Sequence, residues 1–442
     1  MAFFLFILVN VALFIRPAEI VPSMQGWEIY FYIIVACLIA AVPDVMRHLS
    51  EKSPALQPIT LCVLGLLIAI FISNVLETNV AEAWRKGYFF AKVVIYYLLF
   101  VSLVTTSFRL RTLLLSILLC AGTIAFVAVL RFHDVIQLET ISALTDVVVG
   151  NYGDDISIHR LQGTGIFQDP NEFCVMLAVM VPICLYFSTT DRNAFCRAAC
   201  AGLLPLFGYA IYLTYSRGGF LAFVGGLGTL FWTRFGWKKT VAIGLVGLPV
   251  LLILFAGRQT DISTSTGTAS TRIELWRDWM QVFRDHPVSG AGITMGNLDA
   301  MEQRRSDEPK KMLAHNSYLQ GFADLGFFGG CLFLGAFITA GWSLYRLQKE
   351  NCVQINSDLK RMQPFVLASV TAFCIGMMTL SMCFIIPTYL ILALAAAYAR
   401  MAHRTCLAAP APLRLDLRLL ATFAVAGLCF LATIYMFLRS VA

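Results

Sequence analysis

Apolar residues in this chain fall in long runs instead of short alternating patches. The runs lie near residues 2–15, 27–43, 58–76, 88–106, 112–130, 172–188, 197–214, 218–232, 240–256, 318–344, 364–386, 387–401 and 417–438. Most approach the ~20 residues a helix needs to cross a bilayer. The pattern predicts an all-α polytopic membrane protein of about 12–13 transmembrane helices, the first run and the pair flanking Pro387 being short. Two long polar stretches, 131–171 and 257–317, fall on the same side of the membrane in this count. They divide the chain into N-terminal helices (1–130), a first outer loop (131–171), central helices (172–256), a large outer loop with an amphipathic helix (257–317) and C-terminal helices (318–442).

Composition and charge sharpen this picture. Hydrophobic residues make up 59% of the 442 and charged residues 13%, about half the roughly 25% of soluble proteins. So few charges cannot cover a soluble surface, which excludes a cytosolic enzyme, a disordered chain and a secreted disulfide scaffold. The net charge of +7 follows topology: short loops on one side hold 17 Lys and Arg, those on the other about four, among them Arg16, Arg85 and Lys86. The positive-inside rule puts the N-terminus inside and both long loops outside. A nucleic-acid partner gains no support. The run Met1–Ile15 lacks a positive n-region and meets Arg16-Pro17 in place of a small-residue cleavage site, so it reads as a retained span. The 13 cysteines lie in spans and inner loops without a CxxC pair and read as packing residues.

Other chemistries find little footing. Pro182, Pro205 and Pro249 interrupt spans without the matched pairing of inverted-repeat transporters. Ser289-Gly290-Ala291-Gly292 follows a helix instead of a strand, and there is no Walker loop. His133, His159, His286 and His315 share the outer side without HxH or HExxH spacing. No cofactor and no metal are expected.

The outer loops carry the candidate chemistry. Thr271-Arg272-Ile273-Glu274 reads as a capping box, with Thr271 as N-cap of a helix running to about Asp285. Ile273, Trp276, Met280 and Phe283, beside Leu275, Trp279 and Val282, form a broad apolar stripe. Such a helix suits the membrane surface, a cavity mouth, or simply the top of the bundle. Arg272 then occupies the first turn, where the helix dipole disfavours a cation unless an anion binds there. Arg217 lies at a membrane boundary between two spans and is followed by Gly218 and Gly219. It reads either as a snorkelling anchor or as a planar fork for phosphate oxygens. His315 and Asn316 end the large loop at the same face, where a neutral imidazole can act as general base. Asp324 and Lys92 are intramembrane charges, open to pairing or to a substrate role. Arg160 adds positive potential to this face, while Asp169 and Asn171 read as helix caps.

In order, these motifs resemble the O-antigen ligase and polymerase superfamily of bacterial membrane glycosyltransferases. The similarity rests on Arg160 to Asn171, Tyr215-Ser216-Arg217-Gly218-Gly219, Arg272 with Trp276, His286-Pro287 with Gly290 and Gly292, and His315-Asn316-Ser317-Tyr318 with Asp324, Leu325 and Gly326. It covers roughly residues 160–330. The resemblance implies a metal-independent, inverting enzyme of the bacterial inner membrane, with its active site under a periplasmic helical loop. It also implies a donor glycan on undecaprenyl diphosphate, with Arg217, Arg272 and His315 as the catalytic residues. Arg160, Asn316, Asp324 and Lys92 are the candidate substrate-binding residues.

The acceptor separates the branches: lipid A–core for a ligase, another carrier-linked glycan for an O-antigen or exopolysaccharide polymerase, a protein for an O-oligosaccharyltransferase. The compact His-Asn-Ser-Tyr motif and the single large loop favour the ligase. A polysaccharide or lipid transporter that uses the arginines only to bind anions is the reading from another class. Catalysis requires His315 and carriage does not.

Overall fold

The computed structural model describes residues 1–17, 21–24, 26–50, 57–137, 145–149, 155–254, 268–293, 313–349, 355–407 and 410–441. Helices α1 (Ala2–Ile15), α2 (Ile29–Leu49), α3 (Pro58–Glu77), α4 (Val80–Leu103) and α5 (Ser107–Phe132) come first. After the first polar stretch come α6 (Pro170–Thr190), α7 (Ala194–Leu213), α8 (Arg217–Phe235) and α9 (Trp237–Leu254). Helix α10 (Thr268–Asp285) lies in the second polar stretch. The bundle is completed by α11 (Ser317–Lys349), α12 (Ser357–Gly376), α13 (Ile386–Thr405) and α14 (Leu417–Ser440). Each expected span has a helix. Among the described residues, 8 helices are long and apolar enough to cross a membrane. The chain is an all-α polytopic membrane protein. Its one sheet among those residues is an antiparallel hairpin, β1 (Thr145–Val149) with β2 (Asp155–His159), in the first polar stretch.

The core lies along α6, α11, α12 and α13, whose side chains are mostly buried. Helix α6 packs on α7, α8 and α12, and α11 packs on α3, α13 and α14. At the periphery α2, α9 and α14 expose Ile39, Leu245, Val246 and Met436. Apolar surface of that extent needs an apolar solvent. Pro43, Pro182, Pro205, Pro249 and Pro364 sit inside helices, which neighbouring helices make tolerable in lipid.

Contacts sort the connections into two ends. At one, Arg111 donates to Asp191 (2.8 Å) and Asp358 (3.2 Å), Arg400 to His48 (2.7 Å) and the Val101 carbonyl, and Asn356 to Ser107 (3.1 Å). Cys406, at this same end, is disulfide-bonded. The reading of every cysteine as a packing residue therefore fails at this position. The opposite end holds α10 and residues 160–169, which lead into α6. Helix α10 lies on α11 and α14, with Trp276 against Phe437 and Phe283 against Phe322 (ring centroids 6.1 Å apart in both pairs). Its apolar stripe thus covers the bundle.

Four details depart from the sequence reading. Helix α4 starts eight residues early, because the Asn79 side chain caps it by accepting from Glu82 N–H (2.8 Å). Helix α10 starts at Thr268, so Thr271 is not its N-cap and Arg272 sits beyond the first turn. Residues Thr268 to Ser270 hold helical backbone and extend the helix past the expected box. Helix α12 stops at Gly376, and a non-helical connection runs from there to Ile385.

The fourth departure is a break in α11 at Gly326, whose φ of 68° and ψ of −173° belong to a region open essentially to glycine alone. A broken helix leaves backbone groups without intrahelical partners. Residues 286–293 supply them. Ala291 N–H donates to the Ala323 carbonyl (2.9 Å), Gly292 N–H to the Asp324 carbonyl (3.1 Å), and Phe327 N–H to the Pro287 carbonyl (2.8 Å). The approach is close enough that a Cβ at Gly290 would lie 2.3 Å from the Asp324 oxygen. Helices α3 and α4 hold the segment from outside. Ser289 Oγ donates to Glu77 (2.5 Å), His286 Nδ1 lies 2.8 Å from the same carboxylate, and Lys86 Nζ donates to the Ile293 carbonyl (2.6 Å).

Candidate active site

The N-terminal turns of α6, α8 and α11 converge on residues 376–381. A Cβ on Gly218 would strike the Thr379 side chain at 2.1 Å, one on Gly219 would strike Cys174 of α6, and Gly376 abuts Val175 of α6. Ser317 N–H, opening α11, donates to the Met377 carbonyl (2.8 Å). Caps and backbone carbonyls take up most of the N–H groups there, and each helix N-terminus still carries the positive end of its dipole. Three such ends together favour negative charge at this face.

Arg217 is the first residue of α8, and Ser216 Oγ caps that helix by accepting from Gly219 N–H (3.2 Å). Just before it, Tyr215 has φ 49°, a left-handed conformation a bulky residue holds only when its surroundings impose it. His315 is a second such position, with φ 47°. Its N–H donates to Ser381 Oγ (2.9 Å). Asn316, fully buried, caps α11 by accepting from Tyr318 and Leu319 N–H (3.1 Å each). Ser317 Oγ donates to the Leu380 carbonyl (2.6 Å) and accepts from Met382 N–H (2.8 Å). The backbone of His315 is thus held from both sides. Among the described residues its Nδ1 is buried without a hydrogen-bond partner.

Burial, with a smaller contribution from charge, favours the neutral form of this imidazole. Burial pushes its pKa below the ordinary histidine value and the nearby Arg272 guanidinium adds to that shift; the Asp169 carboxylate opposes both. Arg272 of α10 and Asp169 before α6 therefore both act on His315 before α11. Asp169 also caps α6, accepting from Asn171 N–H (2.7 Å) and Glu172 N–H (3.1 Å). Arg160 joins the same end from the first polar stretch, donating to the Thr214 carbonyl (3.0 Å) and the Asn171 side chain (2.8 Å).

Of the sequence candidates, Arg217, Arg272, His315, Asn316 and Arg160 share this end of the bundle. Asn316 acts there as a helix cap. Asp324 is not beside His315: it sits at the α11 break, where its carbonyl accepts from Ser73 Oγ (2.7 Å). Lys92 is exposed, with its ammonium 4.5 Å from the Tyr88 ring centroid. The lysine drawn inward is Lys86. Sequence reasoning missed Ser381 and the action of Asp169 on His315, since neither carries a local signal. Among the described residues no trio of His, Cys, Asp or Glu converges as metal ligands do.

Residues 201–334 match the family model for O-antigen ligase. The match supports membership in the O-antigen ligase and polymerase superfamily. The matched O-antigen ligase segment runs from α7 into α11 and contains Arg217, Arg272, His315, Asn316 and Asp324. Arg160, Asp169 and Lys92 lie outside it. No curated protein matches the chain. The family is one of glycosyltransferase-like membrane enzymes. The O-antigen ligase segment thus coincides with the part of the chain that builds the α8, α10 and α11 side of the site.

Proposed function

We propose that this protein transfers a glycan from undecaprenyl diphosphate to an acceptor hydroxyl, with lipid A–core as the favoured acceptor, at the periplasmic face of the bacterial inner membrane. The observation that carries the reading is His315: a strained, fixed histidine kept neutral beside Arg272, at the meeting of three helix N-termini. Its neutral imidazole takes the proton of the acceptor hydroxyl. The acceptor oxygen attacks the anomeric carbon from the face opposite the carrier, and the bond to the diphosphate oxygen breaks. Configuration inverts. Negative charge grows on the departing diphosphate, where Arg217 and Arg272 stabilise it most strongly in the transition state. The bond to the carrier phosphate supplies the driving force, so neither nucleotide nor metal enters the scheme.

A strain lacking the protein tests this reading. Full-length polymer should remain on its carrier and lipid A–core should stay bare, with rescue by the wild-type chain and not by His315→Ala. Single repeat units on lipid A–core would point to a polymerase. An unchanged polymer profile with donor confined to one leaflet would contradict enzymatic transfer and indicate a transporter.

A further inference from the structure

Away from the reaction face, α10 runs beside the outer end of α14. The guanidinium carbon of Arg284 lies 4.8 Å from the Tyr435 ring centroid, and that of Arg439, one turn further along α14, lies 5.9 Å from the same centroid. Arg277 reaches the end of α14 by donating to the Val441 carbonyl (3.3 Å). All three arginines are exposed, and among the described residues none of them forms an ion pair. Arg277 and Arg284 are seven residues apart, so they share one face of α10 about 10 Å apart along its axis. Glu274, Asp278 and Asp285 lie about 60–120° further round the helix, on the side away from α14. Below Arg439, Val425, Leu428 and Met436 form an exposed apolar stripe on the same face of α14 as Tyr435 and Arg439.

The chemistry of this edge fits a phosphorylated lipid. A guanidinium carries five N–H donors, and the one hydrogen bond here uses a single donor of Arg277. Its planar fork matches phosphate oxygens. The apolar stripe of α14 takes acyl chains, which brings the headgroup level with Arg439. Two arginines of α10 set two turns apart suit two separate phosphates better than one. Helix dipoles account for Arg284 and Arg439 singly, each in a last turn, and an interfacial aromatic belt accounts for Tyr435. Neither gathers guanidinium groups from two helices around one ring, on the side of the membrane that the positive-inside bias leaves poor in cations. Arg272, five residues before Arg277 on the same helix, acts on His315, so a headgroup held here lies along a wall of the reaction face.

We infer that the α10–α14 edge is a docking site for an acceptor lipid whose headgroup carries two separated phosphates. Its role in transfer rests on the glycosyltransferase reading; its binding of the phosphates does not. The test titrates the purified full-length protein, in detergent micelles, with bis-phosphorylated lipid A, monophosphorylated lipid A and phosphatidylglycerol, and measures bound lipid by native mass spectrometry. Bis-phosphorylated lipid A should bind about tenfold or more tightly than either of the others, the difference expected for one charge-assisted hydrogen bond. Arg277→Gln and Arg284→Gln should each weaken it by a similar factor, and Arg284→Lys should recover part of the loss. Lys360→Gln, an exposed cation at the opposite end, should bind like the wild type, and unchanged unfolding temperatures certify that the variants are folded. Absence of lipid A binding, equal affinity for phosphatidylglycerol, or wild-type binding by both glutamine variants would overturn the docking site. Lipid A held through these arginines, together with glycan transfer that ignores His315, would sink the catalytic reading and leave the docking site standing. His315-dependent transfer, with wild-type lipid A binding by both glutamine variants, would do the reverse.

Discussion

Gly326→Ala tests whether the break in α11 and the segment that fills it form one unit. At φ 68° and ψ −173° an alanine costs about 1–3 kcal/mol in backbone strain alone. Its Cβ would also lie 2.2 Å from the Val288 carbonyl oxygen and 2.8 Å from Gly290 N. Both are backbone atoms, so the 286–293 segment must back away. The bonds at risk are Phe327 N–H to Pro287 and Gly292 N–H to Asp324, and each buried group left unpaired costs about 1–3 kcal/mol. Strain plus one lost bond comes to roughly 2–6 kcal/mol, a large share of a typical stability of about 5–15 kcal/mol. Gly341→Ala is the matched control: it lies in the same helix with nothing within 4 Å of a new Cβ, and helix propensity favours alanine there by up to ~1 kcal/mol. Thermal unfolding of the purified protein, with hydrogen exchange across residues 286–293, separates the two. Gly326→Ala should unfold at a lower temperature and expose the segment; Gly341→Ala should do neither. Equal unfolding temperatures and equal exchange would refute the coupling.

Three further outcomes follow from the geometry. Asp169→Asn keeps the α6 cap, because Asn caps as well as Asp, but removes the charge that raises the His315 pKa; the acidic limb of the pH–transfer profile should move to lower pH, and a move to higher pH would contradict the assignment. Lys92→Gln should leave transfer unchanged, since Lys92 is exposed over Tyr88, whereas Lys86→Met leaves the Ile293 carbonyl unpaired and should loosen the 286–293 segment by about 1–3 kcal/mol; equal effects on hydrogen exchange would count against the clamp. Arg111→Gln strands Asp191 and Asp358 together at the opposite end and should cost about 1–3 kcal/mol in chemical unfolding, with Arg111→Lys in between; no change would mean that the pair is energetically idle.

What was legible in the sequence follows from the range of each interaction. The spans were readable because apolar runs of bilayer length are a local signal, and each has its helix. The early start of α4 was not, because Trp84, Arg85 and Lys86 look like a loop while the Asn79 cap precedes them. Lys86 and Lys92 are six residues apart, which on a helix puts them about 120° apart. Helix phase, not the presence of charge, decided which one turned inward. Gly326 read as part of an uninterrupted span because the groups that make its break affordable come from Gly290 and its neighbours, far back in the chain. Arg217, Arg272 and His315 were recognisable from short motifs. Their shared environment, which includes Asp169 and Ser381, depends on the packing of α6, α8, α10 and α11 and leaves no mark in any one segment.

If His315 performs chemistry on a lipid-linked glycan instead of helping to carry it, glycan transfer in a reconstituted membrane must depend on its imidazole. Purified wild-type and His315→Ala proteins in proteoliposomes, given an undecaprenyl-diphosphate-linked glycan and lipid A–core, test it most directly when new lipid A–core–glycan product is measured over time. The wild type should form product and His315→Ala none above background, at equal insertion and equal unfolding temperature. Product formed at the wild-type rate by His315→Ala would contradict it.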